Sequence, residues 1–452
     1  MTLEQAFSNT KLTENGDVTY SSTGNSLLDI LFMSEYYSKN LDKVNIGNSD
    51  KEKLFSMFIR DPRFGLGRRD LGRRLMLMSG VTPDNVVKAG RFDDLFIGWE
   101  YMGDDAFFAM CSYLYNEIKN GNELCKKWMP RYSSKNLMLA RKIAKALGMN
   151  KQQYGHFVKC DTTENKLSRK NTESIEFEHV PSLAMIKYFK RFSQGEDTQK
   201  RFEKYLEDVK SGKKELKVST TNVYDICKNR FNIDADLFFS KIEKISGSWI
   251  PVVDTSGSMH DNNDSMTKAL AVGHYLAKCS TYAPDTVVSF SAKPSLLKLG
   301  VENTFIDNWC TRPETQHFSE TVKKSQYLKE ISSMITGDCS NTNFKAVCDL
   351  LKNLDKDNAP EWIVVLSDME FDCGSSTSKD EMMRIFKENG MNNTKLLWWN
   401  FNSRSTTCPE TDKYGNIFLS GYSPILLKYL QVGFDGEQFL DALLDGYKKN
   451  IQ

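Results

Sequence analysis

No stretch of this chain reaches the roughly 18 consecutive apolar residues of a membrane-spanning helix, so none is expected in it. The first seventeen residues are polar and hold no apolar core, so no secretory leader is expected. None of the ten cysteines stands in a Cys-x-x-Cys pair, and the five histidines do not pair with them. A zinc cluster is therefore not expected; reduced thiols in an intracellular, cytoplasmic protein are. A dominant charge sign is lacking too: 60 Lys and Arg against 59 Asp and Glu leave +1 at neutral pH. That balance hides a contrast, because residues 1–250 carry +7 and residues 251–452 carry −6. A chain of 452 residues has ample core for two or three domains.

Residues 248–259 read Ser-Trp-Ile-Pro-Val-Val-Asp-Thr-Ser-Gly-Ser-Met. The apolar run suits a buried strand, and Asp254, Ser256 and Ser258 suit a loop at its carboxyl end, where open α/β sheets place ligands. A carboxylate and two hydroxyls favour a hard cation. Two later segments complete the set. Thr342 lies in a turn-like run, 337–343, ahead of an apolar-periodic helix, and Asp368 ends a second buried-strand pattern, 361–367. A helix N-cap accounts for one such oxygen, not for five on three loops. Enzyme readings fit poorly. Asp254-Thr255-Ser256-Gly257 is one residue too long for an aspartic-protease signature, and a haloacid-dehalogenase phosphatase needs an acid where Ser256 stands.

This arrangement resembles the metal-ion-dependent adhesion site of von Willebrand factor A domains. The implied ligands are Asp254, Ser256, Ser258, Thr342 and Asp368. The implied ion is a divalent cation, Mg²⁺ first, with Ca²⁺ and Mn²⁺ as alternatives, and a protein partner supplies a further carboxylate. The rest of this half supports the fold. Strands are expected at 286–290, 295–299, 395–401 and 416–420, with helices at 267–279, 344–351, 381–387 and 433–447.

The N-terminal half reads as helical. Helical apolar spacing covers 25–37, 51–59, 70–78, 84–98, 104–118, 136–147, 182–192, 198–209 and 235–245, with short Gly-, Pro-, Asn- and Ser-rich connections. Such a series predicts a HEAT-like helical repeat array, although no clean period is present. One strand is expected, at 175–179. The domains are expected at 1–245 and 246–452, joined by the short segment 244–248.

Two basic features stand out. Arg60, Arg63, Arg68, Arg69, Arg73 and Arg74 fall within fifteen residues, offset in that window by Asp61 and Asp70, and Gly65 and Gly67 would let backbone approach a phosphate. Residues 126–170 hold twelve basic and two acidic residues, interleaved with Trp128, Tyr132, Tyr154 and Phe157. The residues expected to contact nucleic acid are Arg63, Arg68, Arg69, Arg73, Arg74, Lys126, Lys127, Arg131 and Lys135. The plain alternative is that the arginines pair with acids of neighbouring helices and the lysines form a solvated face.

Helical array followed by A domain resembles the Ro autoantigen family, whose TROVE module is an RNA-binding helical ring. It is more similar to an uncharacterised family of plants, fungi and large DNA viruses with the same plan. The residues that carry this likeness are the segment 60–70, Lys127-Trp128-Met129-Pro130-Arg131, Val180-Pro181-Ser182, Ser-Asn-Thr-Asn-Phe at 340–344 and Ser-Asp-Met-Glu-Phe-Asp at 367–372. Phe64 and Leu66 depart from it, standing where that family usually has small or basic residues. The expected function is a non-enzymatic RNA-binding scaffold with a cation-dependent partner site. The alternative is a protein–protein scaffold, or a viral structural component located in the virion, that binds no RNA.

Overall fold

The computed structural model describes residues 10–12, 18–20, 24–132, 136–169, 171–218, 221–261, 264–300, 324–335, 343–352, 359–368, 386–401, 417–420 and 436–452. The chain packs as two units, Met1–Lys39 with Pro181–Leu440 and Asn40–Val180 with Asp441–Gln452. This division differs from the boundary expected at 245/246: the helices that follow Pro181 count with the sheet, and the end of the last helix counts with the helical unit.

In chain order, a short antiparallel hairpin, β1 (Thr10–Leu12) and β2 (Val18–Tyr20), precedes α1 (Ser26–Phe32) and α2 (Ser34–Lys39). The helical unit contains α3 (Asp50–Arg60), α4 (Arg69–Ser79), α5 (Pro83–Ala89), α6 (Asp104–Lys119), α7 (Glu123–Trp128), α8 (Leu137–Ala146), α9 (Lys151–Phe157) and α10 (Thr163–Ser168). The sheet unit resumes with α11 (Ser182–Phe192), α12 (Glu196–Lys210), α13 (Val223–Asn229) and α14 (Ala235–Ser240). It continues through β3 (Trp249–Asp254), α15 (Ser265–Cys279), β4 (Thr286–Phe290), β5 (Ser295–Lys298), α16 (Gln326–Ser333), α17 (Phe344–Leu351), β6 (Trp362–Ser367), β7 (Lys395–Asn400) and β8 (Ile417–Ser420). The last helix is α18 (Gly436–Ile451). The strand expected at 175–179 is instead a 3₁₀ turn, Phe177–His179. Ile175, Phe177 and Val180 are all buried, so the alternation that imitates a strand is the inward side of that turn.

The sheet runs in the order β5-β4-β3-β6-β7-β8, parallel throughout except for β5, which pairs antiparallel with β4 at one edge. Continuous apolar sequence makes β3 and β6 central, since every residue of both is buried. Pro251 is tolerated there because pairing with β4 begins only at Val252, which leaves one side of Pro251 without a ladder. Helices cover both faces. Ile250, Val252, Val288, Phe290, Ile363 and Val365 pack with Phe344, Val347 and Leu351 of α17 on one face. On the other, α15 lies so close that a Cβ at Gly273 would stand 2.4 Å from Val253 Cγ2, and Trp249 Nε1 donates to the Leu276 carbonyl at 2.8 Å. A three-layer α/β unit results.

On that second face His274 of α15 is fully buried, its Nε2 2.6 Å from Glu330 Oε2 of α16, with Lys278 Nζ 2.8 Å from the other Glu330 oxygen. Burial alone would raise the Glu330 carboxyl, but hydrogen bonds from His274 and from the Lys278 ammonium outweigh it and hold it below its ordinary range. Burial lowers the His274 imidazole and outweighs its attraction to Glu330, so the ring is neutral. Among the described residues no helix is long and apolar enough to cross a membrane, and the six described cysteines are buried free thiols.

Candidate functional site

The strand order places a topological switch point between β3 and β6. From β3 the chain builds β4 and β5 on one side; β6, β7 and β8 lie on the other. Open α/β sheets bind ligands beyond the carboxyl ends of the strands at such a point. Asp254 is the last residue of β3, and Asp368 directly follows β6. The register aligns Val253 with Leu366, which brings the two ends together. Asp254 Oδ2 accepts from Ser367 Oγ at 2.6 Å and Oδ1 accepts from the Ser256 amide at 2.9 Å. Ser256 Oγ and Ser258 Oγ are 3.1 Å apart. Asp254 and Asp368 are 0% and 4% exposed.

These residues fit a hard cation. Neighbouring ligand oxygens of an octahedral Mg²⁺, each at about 2.1 Å, stand about 3.0 Å apart. The Ser256–Ser258 spacing matches that separation, and in the absence of a metal it is an ordinary hydrogen bond. Two buried carboxylates on adjacent strand ends carry like charge whose desolvation a cation offsets. Among the described residues no three His, Cys, Asp or Glu side chains cluster as metal ligands, so the hydroxyls are indispensable to this donor set. Thr342 lies outside the described residues.

Several supporting residues escape a reading of the sequence. Ser367, next to Asp368, orients Asp254. Asp261 accepts from Ser265 N and Oγ at 3.0 and 2.8 Å, tying the loop to the start of α15. Asp264 adopts a left-handed backbone with φ of 59°. It is held there by Tyr224 Oη at 2.7 Å and Lys228 Nζ at 2.6 Å, both from α13. The Lys228 bond and then the Tyr224 bond lower the Asp264 carboxyl. For Ser367 and Asp264 the available signal was adjacency to a motif residue or to a helix start; for Tyr224 and Lys228 there was none.

The arginine segment has a different character. Gly65 N and Gly67 N donate to the Asp61 carbonyl, Leu66 N to Phe58 O, and Arg68 N to Ile59 O. Every amide of the glycine turn is thus consumed by the end of α3, and none is left for a phosphate. The glycines serve close packing instead: a Cβ at Gly65 would stand 1.9 Å from Phe58 O, and one at Gly72 2.5 Å from Arg60 Cα. Arg60 is 2% exposed and donates from Nε to Asp94 at 2.8 Å. Arg73 pairs with Asp93 at 2.6 Å and also with Asp94, and Arg69 pairs with Asp93 at 2.8 Å. Arg63 bonds Asp61 through Nε and Nη2 and reaches the Lys88 carbonyl. Arg68 is half-buried before α4, and Arg74 is exposed. The phosphate-loop expectation is therefore corrected: the counter-charges sit some twenty residues on, in the 3₁₀ turn Phe92–Phe96.

In the second basic segment, Lys126 pairs with Glu123 at 2.6 Å and Lys127 lies 3.4 Å from Glu164. Arg131 donates to the carbonyls of Val158 and Lys126. Lys135 lies outside the described residues. Tyr154, one of the aromatics interleaved with this segment, is fully buried and donates to Pro130 O at 3.0 Å.

Two family models match, one described as Domain of unknown function (DUF7788) over residues 248–442, the other as Domain of unknown function (DUF2828) over residues 124–271. They overlap on β3 and the loop that carries Ser256 and Ser258. The chain is similar to an uncharacterised protein of Acanthamoeba polyphaga mimivirus. That relative is 24% identical over 503 aligned positions, spanning 93% of this chain and 84% of its own length. Among solved structures, the crystal structure of the Deinococcus radiodurans RO (RSR) protein matches with a TM-score of 0.39 and 10% identity, over 93% of each chain. A likeness at that score carries no argument about fold or function.

Proposed function

We propose that this chain is a non-enzymatic, two-part binding scaffold whose sheet unit is a von Willebrand factor A-type domain. Asp254, Ser256, Ser258 and Asp368, with Thr342, would hold Mg²⁺ at the sheet's switch point. A bound ion of this kind keeps exchangeable positions, which a carboxylate of a protein partner can fill. The observation that carries this reading is the 3.1 Å approach of the two serine hydroxyls beside Asp254. Among the described residues the hydrogen bonds at the site join hydroxyls and an amide to a carboxylate or to each other, which suits ion binding better than hydrolytic chemistry. Thermal unfolding in Mg²⁺ and in chelator tests the reading. Saturating Mg²⁺ at about 100 times its Kd stabilises the wild type by about 2.7 kcal/mol. The Ser256→Ala/Ser258→Ala variant loses that response; an equal response in both proteins defeats the assignment.

RNA binding by a TROVE-like helical unit is the second reading, supported by the basic segment 126–170 rather than by the arginine turn. It predicts an affinity that falls steeply with salt, since each neutralised phosphate releases counterions. Well-folded protein that retains no structured RNA at low salt leaves the protein–protein scaffold, or viral structural component, in its place.

A further inference from the structure

The geometry points to a second binding site, in the helical unit: we propose a pocket for a phosphate monoester of nucleotide size. A cavity of about 440 Å³ opens between α7, α9 and α10, within the size range of small-ligand sites. Its lining includes Lys127, Arg131, Lys159 and Arg169 against a single carboxylate, Glu164. The floor is preorganised. Arg131 is fixed by the carbonyls of Val158 and Lys126 and by Cys160 Sγ at 3.3 Å, and Lys127 is steered by Glu164 at 3.4 Å. Lys159 and Arg169 are exposed at the rim. Arginine forks and lysine ammoniums are the usual partners of phosphate oxygens. A formal surplus of three positive charges among the lining residues matches a dianionic monoester better than a singly charged diester. Thr162 Oγ1 accepts from Asn165 N at 3.2 Å and its hydroxyl is engaged with Glu164, which fixes the start of α10 at the pocket wall. Neither Lys159 nor Arg169 was singled out by the sequence. The site stands whether or not RNA binds and is separate from the cation site.

Gly155 of α9 supplies the test, because it lines the pocket and a Cβ there meets nothing within 4 Å. Calorimetry on the full chain with AMP, inorganic phosphate and adenosine should show binding of the first two and none of adenosine. AMP affinity should fall several-fold from about pH 7.5 to pH 5, as the phosphate, with its second pKa near 6, loses its second charge. Gly155→Glu places a carboxylate in the pocket, and Lys159→Glu/Arg169→Glu reverses the rim. Each should weaken AMP at least tenfold with an unchanged melting curve. A 5′-phosphorylated oligoribonucleotide that binds tenfold tighter than AMP assigns the group to an RNA end; equal affinity assigns it to a free nucleotide. Adenosine binding as well as AMP, no AMP binding at millimolar concentration, or full affinity in folded Gly155→Glu overturns the proposal.

Discussion

The Arg60–Arg74 segment and the Asp254–Asp368 strand ends are both dense polar clusters, and they are built in opposite ways. In the helical unit the charges close on one another: Arg60 and Arg73 share Asp94, while Arg69 and Arg73 share Asp93. At the carboxyl end of the central strands the oxygens of Asp254, Ser256 and Ser258 gather in hydrogen-bond contact, with Asp368 on the neighbouring strand end. A cluster of mixed sign is complete without a ligand. On the proposed reading, the second cluster is completed only by a cation. Clustering alone does not distinguish them; the position of the counter-charge does.

The largest expected effect breaks the first cluster. Asp94→Ala leaves Arg60 buried without its partner and should cost about 3–5 kcal/mol in urea unfolding. A cost under about 1 kcal/mol would mean that the arginines are not structurally committed, and the RNA reading of this segment would regain its footing. Gly72→Ala drives a Cβ against Arg60 Cα and should cost about 2–3 kcal/mol, read the same way. A neutral outcome would show that α3 and α4 separate easily.

These contrasts mark what the sequence made legible. β3 and β6 were readable because central parallel strands are buried on both faces and so leave unbroken apolar runs, each bounded by an acid. The neighbourhood of Asp254 and Asp368 followed from strand topology. The arginine network was not readable, because Asp93 and Asp94 lie outside the window that makes the arginines conspicuous, and only folding brings them back. Tyr224 and Lys228 were equally hidden: the contact that fixes Asp264 spans about forty residues and has no local pattern.

A smaller effect separates the two units by pH. The folded state holds His274 neutral, whereas an unfolded histidine takes up a proton below about pH 6.5. The unfolded state therefore binds more protons as pH falls, and stability drops by up to about 1.4 kcal/mol per unit below that point. Glu330, held low by the hydrogen bonds of His274 and Lys278, adds a further loss as pH falls through the ordinary carboxylate range near 4.5. The sheet unit should lose stability between pH 7 and 5, and His274→Gln should abolish most of this slope. An unchanged slope in that variant would place the acid sensitivity elsewhere.

The most direct test counts the cation. Electron paramagnetic resonance of added Mn²⁺ should report one bound ion per chain, displaced by Mg²⁺. The bound signal should vanish in Asp254→Ala and persist when Arg68, Arg69 and Arg74 are replaced by glutamate. Stoichiometric Mn²⁺ binding that survives Asp254→Ala in folded protein, or no bound Mn²⁺ in the wild type at millimolar concentration, would contradict a cation site at the switch point of the sheet.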